Sequence, residues 1–136
     1  MTAQINAYLH LGGKCREAMT FYKECVGGEL GMQTVAESPM ADQFPESLQN
    51  QILHASLTNG SLTLLASDLM DGQGAEIGNT FSLSLNCAPE EIHRYYSLIS
   101  AGGIATRPIH EFFAGLIGAA TDKFGISWMF YAEKNN

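Results

Sequence analysis

The chain has 136 residues, 46% hydrophobic and 15% charged, a globular composition long enough for one domain with a continuous core. Seven Lys and Arg against 14 Asp and Glu leave a net charge of −7 with no basic cluster, which excludes nucleic-acid phosphate and anionic membrane as expected partners. No basic stretch followed by an apolar run opens the sequence and no apolar run reaches membrane length, so a cytoplasmic protein is expected.

Residues 5–11 read as a strand, with Ile5, Ala7, Leu9 and Leu11 on one face and Asn6, Tyr8 and His10 on the other. Gly12-Gly13 breaks it. Residues 14–26 form an amphipathic helix, because Ala18, Phe21, Tyr22 and Cys25 recur at steps of three and four. Gly27-Gly28 stops that helix. A strand over 29–37 leads into a polar stretch, 38–50, that carries Pro39 and Pro45 and reads as an exposed, mobile loop. Residues 51–58 and 61–67 form a hairpin around Asn59-Gly60, a pair that readily takes positive φ. The glycine-rich stretch 68–79 joins two halves.

The order then restarts. Residues 80–86 alternate, Phe81, Leu83 and Leu85 against Ser82 and Ser84. Pro89-Glu90-Glu91 opens a second helix with Ile92, Tyr95, Tyr96 and Ile99 on its stripe. After Gly102-Gly103 come strands over 104–109, 116–121 and 127–132, the last two joined at Asp122-Lys123-Phe124-Gly125. A shift of 74 residues overlays the halves without a gap from strand to helix end, placing Leu9 on Leu83, Glu17 on Glu91, Phe21-Tyr22 on Tyr95-Tyr96 and Gly28 on Gly102. Each half is then a strand–helix–three-strand unit whose sheet has one face under its helix and one face open. Two open faces can enclose a small-molecule cavity.

Several stretches resemble a known family: Tyr8-Leu9 with Gly13 and Cys15, Arg16-Glu17-Ala18, Phe21-Tyr22 with Gly27-Gly28, His54-Ala55, Ser67-Asp68, Phe112-Phe113 and, most specifically, residues 121–129 from Thr121-Asp122 to Trp128-Met129. They span nearly the whole chain. Together they resemble the vicinal oxygen chelate superfamily of glyoxalase I, bleomycin-resistance proteins and extradiol dioxygenases, and within it the PhnB-like branch. The resemblance implies an α+β fold of two βαβββ modules, about 1–70 and about 78–134, within a single domain 1–136. The cupped mixed sheets would carry their helices on the outer face, and the protein would be a homodimer. PhnB-like sequences have often been labelled as resembling a demethylubiquinone methyltransferase. A methyl-donor enzyme of the common class needs a Gly-rich loop in a doubly wound parallel sheet, which Gly12-Gly13 and a hairpin-rich chain do not provide.

The superfamily's metal enzymes place His, Gln or Glu on the first and last strands of each module, leaving an open coordination site. Aligned on the helix, the corresponding positions here fall on Ala7, near Met129 and among residues 81–83, none of which binds such a metal. A bound metal or other cofactor is therefore not expected. The ligand-pocket candidates are His54, Phe112, Phe113, Trp128, Met129 and Ala7, with a small molecule as the expected partner. His10 should miss the pocket if Ala7 faces it. The rival is a metal-dependent lyase, isomerase or dioxygenase using His54 with His110 or Glu111. His93 is read as a surface residue. Asp122 is read as a turn residue that caps backbone N–H groups. Asp68 follows a strand. Cys15, Cys25 and Cys87 are odd in number and contain no CxxC pair, so neither a disulfide framework nor a zinc knuckle is indicated. GxSxG, P-loop and HExxH motifs do not occur.

Overall fold

The computed structural model describes residues 2–69 and 76–134. Its chain forms two compact units, Met1–Glu76 and Ile77–Asn136, so much of the predicted join over 68–79 lies outside the described residues. Each unit is a mixed four-stranded sheet with one α-helix, an α+β architecture with the strand–helix–three-strand order that the repeat predicts.

The first unit contains β1 (Ala7–His10), α1 (Cys15–Val26), β2 (Glu29–Thr34), β3 (Ile52–Asn59) and β4 (Leu62–Ser67), in sheet order β1-β4-β3-β2. β1 runs parallel to β4 and the other pairs are antiparallel. The register sets Ala7 beside Leu64, Leu9 beside Ala66, Leu57 beside Leu64, and Met32 beside Ala55. These residues share the face against which α1 lies, and Ala55, Leu57 and Ala66 are fully buried there with Ala18, Met19, Tyr22 and Cys25 of the helix. Alternation puts Tyr8, His10, Gln33, His54, Ser56 and Leu65 on the opposite face.

No side chain within α1 or at its N-cap caps the helix. The cap comes from the far end of β4, where Asp68 Oδ1 accepts from the N–H groups of Gly13 (2.7 Å) and Cys15 (2.8 Å). Asp68 Oδ2 accepts from Ile52 N–H (2.9 Å) at the start of β3. One carboxylate thus ties three parts of the unit together. At the other end of α1, Gly28 has φ +100°, and a Cβ there would run into Thr58 O, so only glycine lets the chain pass so close to β3.

The expected strand over 29–37 is shorter in the structure. β2 stops at Thr34 because the ladder is irregular between Gln33 and Thr34, and the Glu37 carboxylate then folds back onto the Thr34 N–H and O–H. Those two hydrogen bonds hold the Glu37 carboxyl below the usual carboxylate range. The stretch 38–50 is more ordered than its composition suggests. It contains two 3-10 turns, Ala41–Gln43 and Glu46–Leu48, and Gln49 Nε2 donates to Ala41 O and Phe44 O.

The second unit contains β5 (Leu83–Asn86), α2 (Ile92–Ser100), β6 (Ile104–Phe112), β7 (Gly115–Thr121) and β8 (Ser127–Glu133), in sheet order β5-β8-β7-β6. Leu83, Leu85, Trp128, Phe130, Ala132 and Ala120 share the α2 face; Ser84, Asn86, Met129, Tyr131 and Ile117 share the other. Tyr96 of α2 packs edge-on against Phe130, with ring centroids 5.2 Å apart, and its O–H reaches the carbonyls of Arg107 and Ala119 on β6 and β7. The helix begins at Ile92, not at Pro89, because Ala88–Glu91 close a separate turn. The helices end 74 residues apart, at Val26 and Ser100, whereas the first strands begin 76 apart, at Ala7 and Leu83. The overlay therefore contains a two-residue step. An even step keeps every side chain on its face.

Candidate functional site

The uncovered face of the first sheet is where chemistry-bearing side chains gather. Tyr8 and His10 are two residues apart on β1 and so project together, with ring centroids 5.3 Å apart and planes tilted 39°. The Tyr8 ring also leans across β4 toward β3, reaching 6.2 Å from the His54 ring at 42°. His10 stands opposite Ser67, and Gln33 stands opposite His54. Ser56 and Leu65 form the next row with Tyr8. Among the described residues, the side chains of Tyr8, His10, His54, Gln33 and Ser56 form no hydrogen bond, so their polar atoms are free for a ligand. Ser67 differs, since its Oγ donates to Ile52 O and accepts from Leu69 N–H.

This arrangement corrects two expectations. Ala7 lies on the helix face beside Leu64 and cannot line an open-face pocket. His10, expected to miss the pocket, is on the uncovered face because the apolar parity of β1 packs against the helix. Tyr8 lies outside the expected set, yet it joins the two histidines. Its signal was present: it shares parity with His10, opposite to Ala7 and Leu9.

The second unit divides the other candidates. Trp128 is buried on the helix face, and its Nε1–H donates to Asp122 Oδ2 at 2.8 Å, so it is a core residue and not a pocket floor. Met129 is on the uncovered face of that sheet, between Ser84 and Ala119. Phe112 packs edge-on to Tyr131 at 5.8 Å. It also lines a cavity of about 310 Å³ with Glu111, Leu116, Ala132 and Lys134. Phe113 is 89% exposed just past the end of β6. His110 Nδ1 is 2.9 Å from Pro108 O, and His93 is exposed on α2. Ser84 Oγ donates to Asn86 Oδ1 at 2.7 Å, which accounts for the polar face of β5.

Among the described residues, no group of three or more His, Cys, Asp or Glu converges to hold an ion. His54 belongs to the first unit, and His110 and Glu111 to the second. Asp68 and Asp122 spend their oxygens on backbone N–H groups and the indole.

Cys15 is unsuited to nucleophilic work. None of the three cysteines is in a disulfide, and burial, with the Asp68 charge adding and Arg16 partly opposing, pushes the Cys15 thiol from the ordinary 9.0 up to about 12. The folded state thus holds a proton that the unfolded state releases near pH 9. This contribution to stability is complete below about pH 9 and is lost as pH rises toward 12, by up to about 1.4 kcal/mol per pH unit. Denaturant unfolding at pH 8 and pH 10.5 should show a fall in stability that is smaller in Cys15→Ala; equal falls in both proteins would refute the assignment.

The comparisons with known proteins agree with this architecture. A family model described as 3-demethylubiquinone-9 3-methyltransferase matches residues 3–131. Protein YjdN of Escherichia coli K12 is 30% identical over 144 residues, covering 96% of this chain and 95% of that protein. The crystal structure of protein PA1353 from Pseudomonas aeruginosa is 34% identical, with a TM-score of 0.86 over 98% of this chain and 100% of that one. The PhnB protein from Bacillus cereus is 22% identical and shares the fold, with a TM-score of 0.75 over 96% of this chain and 99% of that one. The chain therefore belongs to the family described as 3-demethylubiquinone-9 3-methyltransferase.

Proposed function

We propose that this chain is a small-molecule-binding protein that works without a resident divalent metal, and that its ligand sits on the uncovered face of the first sheet. The observation that carries the reading is the Tyr8 ring set against both His10 and His54, with the hydrogen-bonding atoms of all three unspent among the described residues. Methyl transfer is not the activity this fold favours. In the doubly wound methyl-donor enzymes the loop after the first strand offers its N–H groups to the cofactor. The Gly13 and Cys15 N–H groups at that place already donate to Asp68. Both sheets are mixed, unlike the doubly wound parallel sheet of the common methyl-donor enzymes.

The reading includes a cytoplasmic homodimer with no nucleic-acid or membrane partner. The net charge of −7 disfavours nucleic-acid and anionic-membrane partners, and no helix among the described residues is long and apolar enough to cross a membrane. Elemental analysis of protein purified without chelator should find about 0.1 or fewer equivalents of transition metal per chain. One full equivalent, retained through gel filtration, would overturn the metal-free reading.

A further inference from the structure

We propose that the first sheet's uncovered face selects an oxyanion, a carboxylate or phosphate group on a small molecule; this rests on that face being the binding site. Every polar side chain available there can donate a hydrogen bond. Each imidazole of His10 and His54 carries an N–H in either protonation state, Tyr8 and Ser56 carry O–H, and Gln33 carries an amide NH₂. An oxyanion needs several such donors converging, and bonds to a charged acceptor are the stronger kind.

Carboxylate charge that would repel an oxyanion is nearly absent from the same strands. Glu29 is the only carboxylate that the strands of this sheet put on the uncovered face. It is opposite Thr58, four residues from Gln33 and so roughly 13 Å along the strand. The two nearer acids are already engaged. Asp68 accepts from Gly13, Cys15 and Ile52, and Glu37 accepts from the N–H and O–H of Thr34. No Lys or Arg lies on the strands of this sheet, so recognition falls to the imidazole, phenol and amide donors. A neutral aromatic ring fits less well, because the Tyr8 ring already leans on two imidazoles. The net charge of −7 repels an anion at long range, but that field is screened beyond about 8 Å at physiological salt, so local donors decide.

The test is a titration of the full chain with inorganic phosphate at fixed pH and ionic strength, read from the histidine ring resonances in ¹H–¹³C correlation spectra. A parallel titration uses phenol as a neutral aromatic probe. Phosphate should shift His10 and His54 saturably, with half-saturation in the low millimolar range, and leave His93 unmoved. His10→Gln and His54→Gln, both at exposed positions, should each weaken binding by about fivefold or more while leaving the thermal midpoint unchanged. Phosphate shifts that never saturate, or that are equal at His93, overturn the oxyanion assignment. Saturable shifts with phenol and none with phosphate also overturn it but leave the face as the binding site. Silence with both probes removes the site itself.

Discussion

Replacing Asp122 with alanine is expected to lower the stability of the chain by about 3–5 kcal/mol, the sum of a few charge-assisted bonds lost at a buried position. Asp122 is 3% exposed. Its Oδ1 accepts from Phe124 N–H (2.8 Å) and Ile126 N–H (3.0 Å), and its Oδ2 accepts from Trp128 Nε1–H (2.8 Å). The first two bonds shape the β7–β8 turn. The third anchors the ring that packs beside Phe130 in the core. Alanine removes the carboxylate oxygen to which the buried indole N–H donates, which is where most of the penalty falls. Asparagine is expected to recover only part of the loss, because one of its two terminal atoms must present N–H to a donor. Trp128 is the chain's single tryptophan, so its fluorescence reports both unfolding and local wetting of the indole. A double-mutant cycle with Trp128→Phe should give a coupling above about 1 kcal/mol. A coupling near zero would mean that the bond to the indole does not anchor the turn.

Asp122 also shows what local sequence can reveal. An aspartate opening Asp-Lys-Phe-Gly between two apolar strands implies a turn capped by its own side chain, and the bonds from Phe124 and Ile126 N–H are of that kind. The helix stripes and the Asn59-Gly60 hairpin were legible for the same reason, since each rests on neighbours in sequence. The facing of β1 was not. A strand pattern of period two identifies two faces without saying which one the helix covers, and a one-residue error exchanges them. Alignment to a distant ligand position put Ala7 toward the pocket. The neighbouring strands carried the correcting signal, because buried Ala55 and Leu57 alternate with His54 and Ser56, so the small apolar parity belongs to the helix. The same rule applied to β1 exposes Tyr8 and His10. Trp128 misleads in the opposite sense: a large aromatic near Met129 suggests a pocket floor, but its parity with Phe130 places it in the core.

Removing Asp68 should have the next largest effect, about 3 kcal/mol, and should be visible in chemistry as well as in stability. Its three bonds join residues 55, 53 and 16 positions away, so no local pattern announces them. In Asp68→Ala the N-terminus of α1 loses its cap, the loop after β1 loses its anchor, and Ile52 loses the acceptor that aligns the start of β3. The change also removes a negative charge that raises the Cys15 thiol. Both consequences favour the thiolate and its exposure. At pH 8, Cys15 in the native protein should therefore react very slowly with an aromatic disulfide reagent, and Asp68→Ala should react at least about tenfold faster. Asp68→Asn separates the two causes, since it keeps a polar group near the loop but removes the charge. Pairing each variant with Cys15→Ala identifies the reacting thiol. If Asp68→Ala loses stability while Cys15 stays inert, the carboxylate holds the strands but does not seal the helix end, and the account of Cys15 fails.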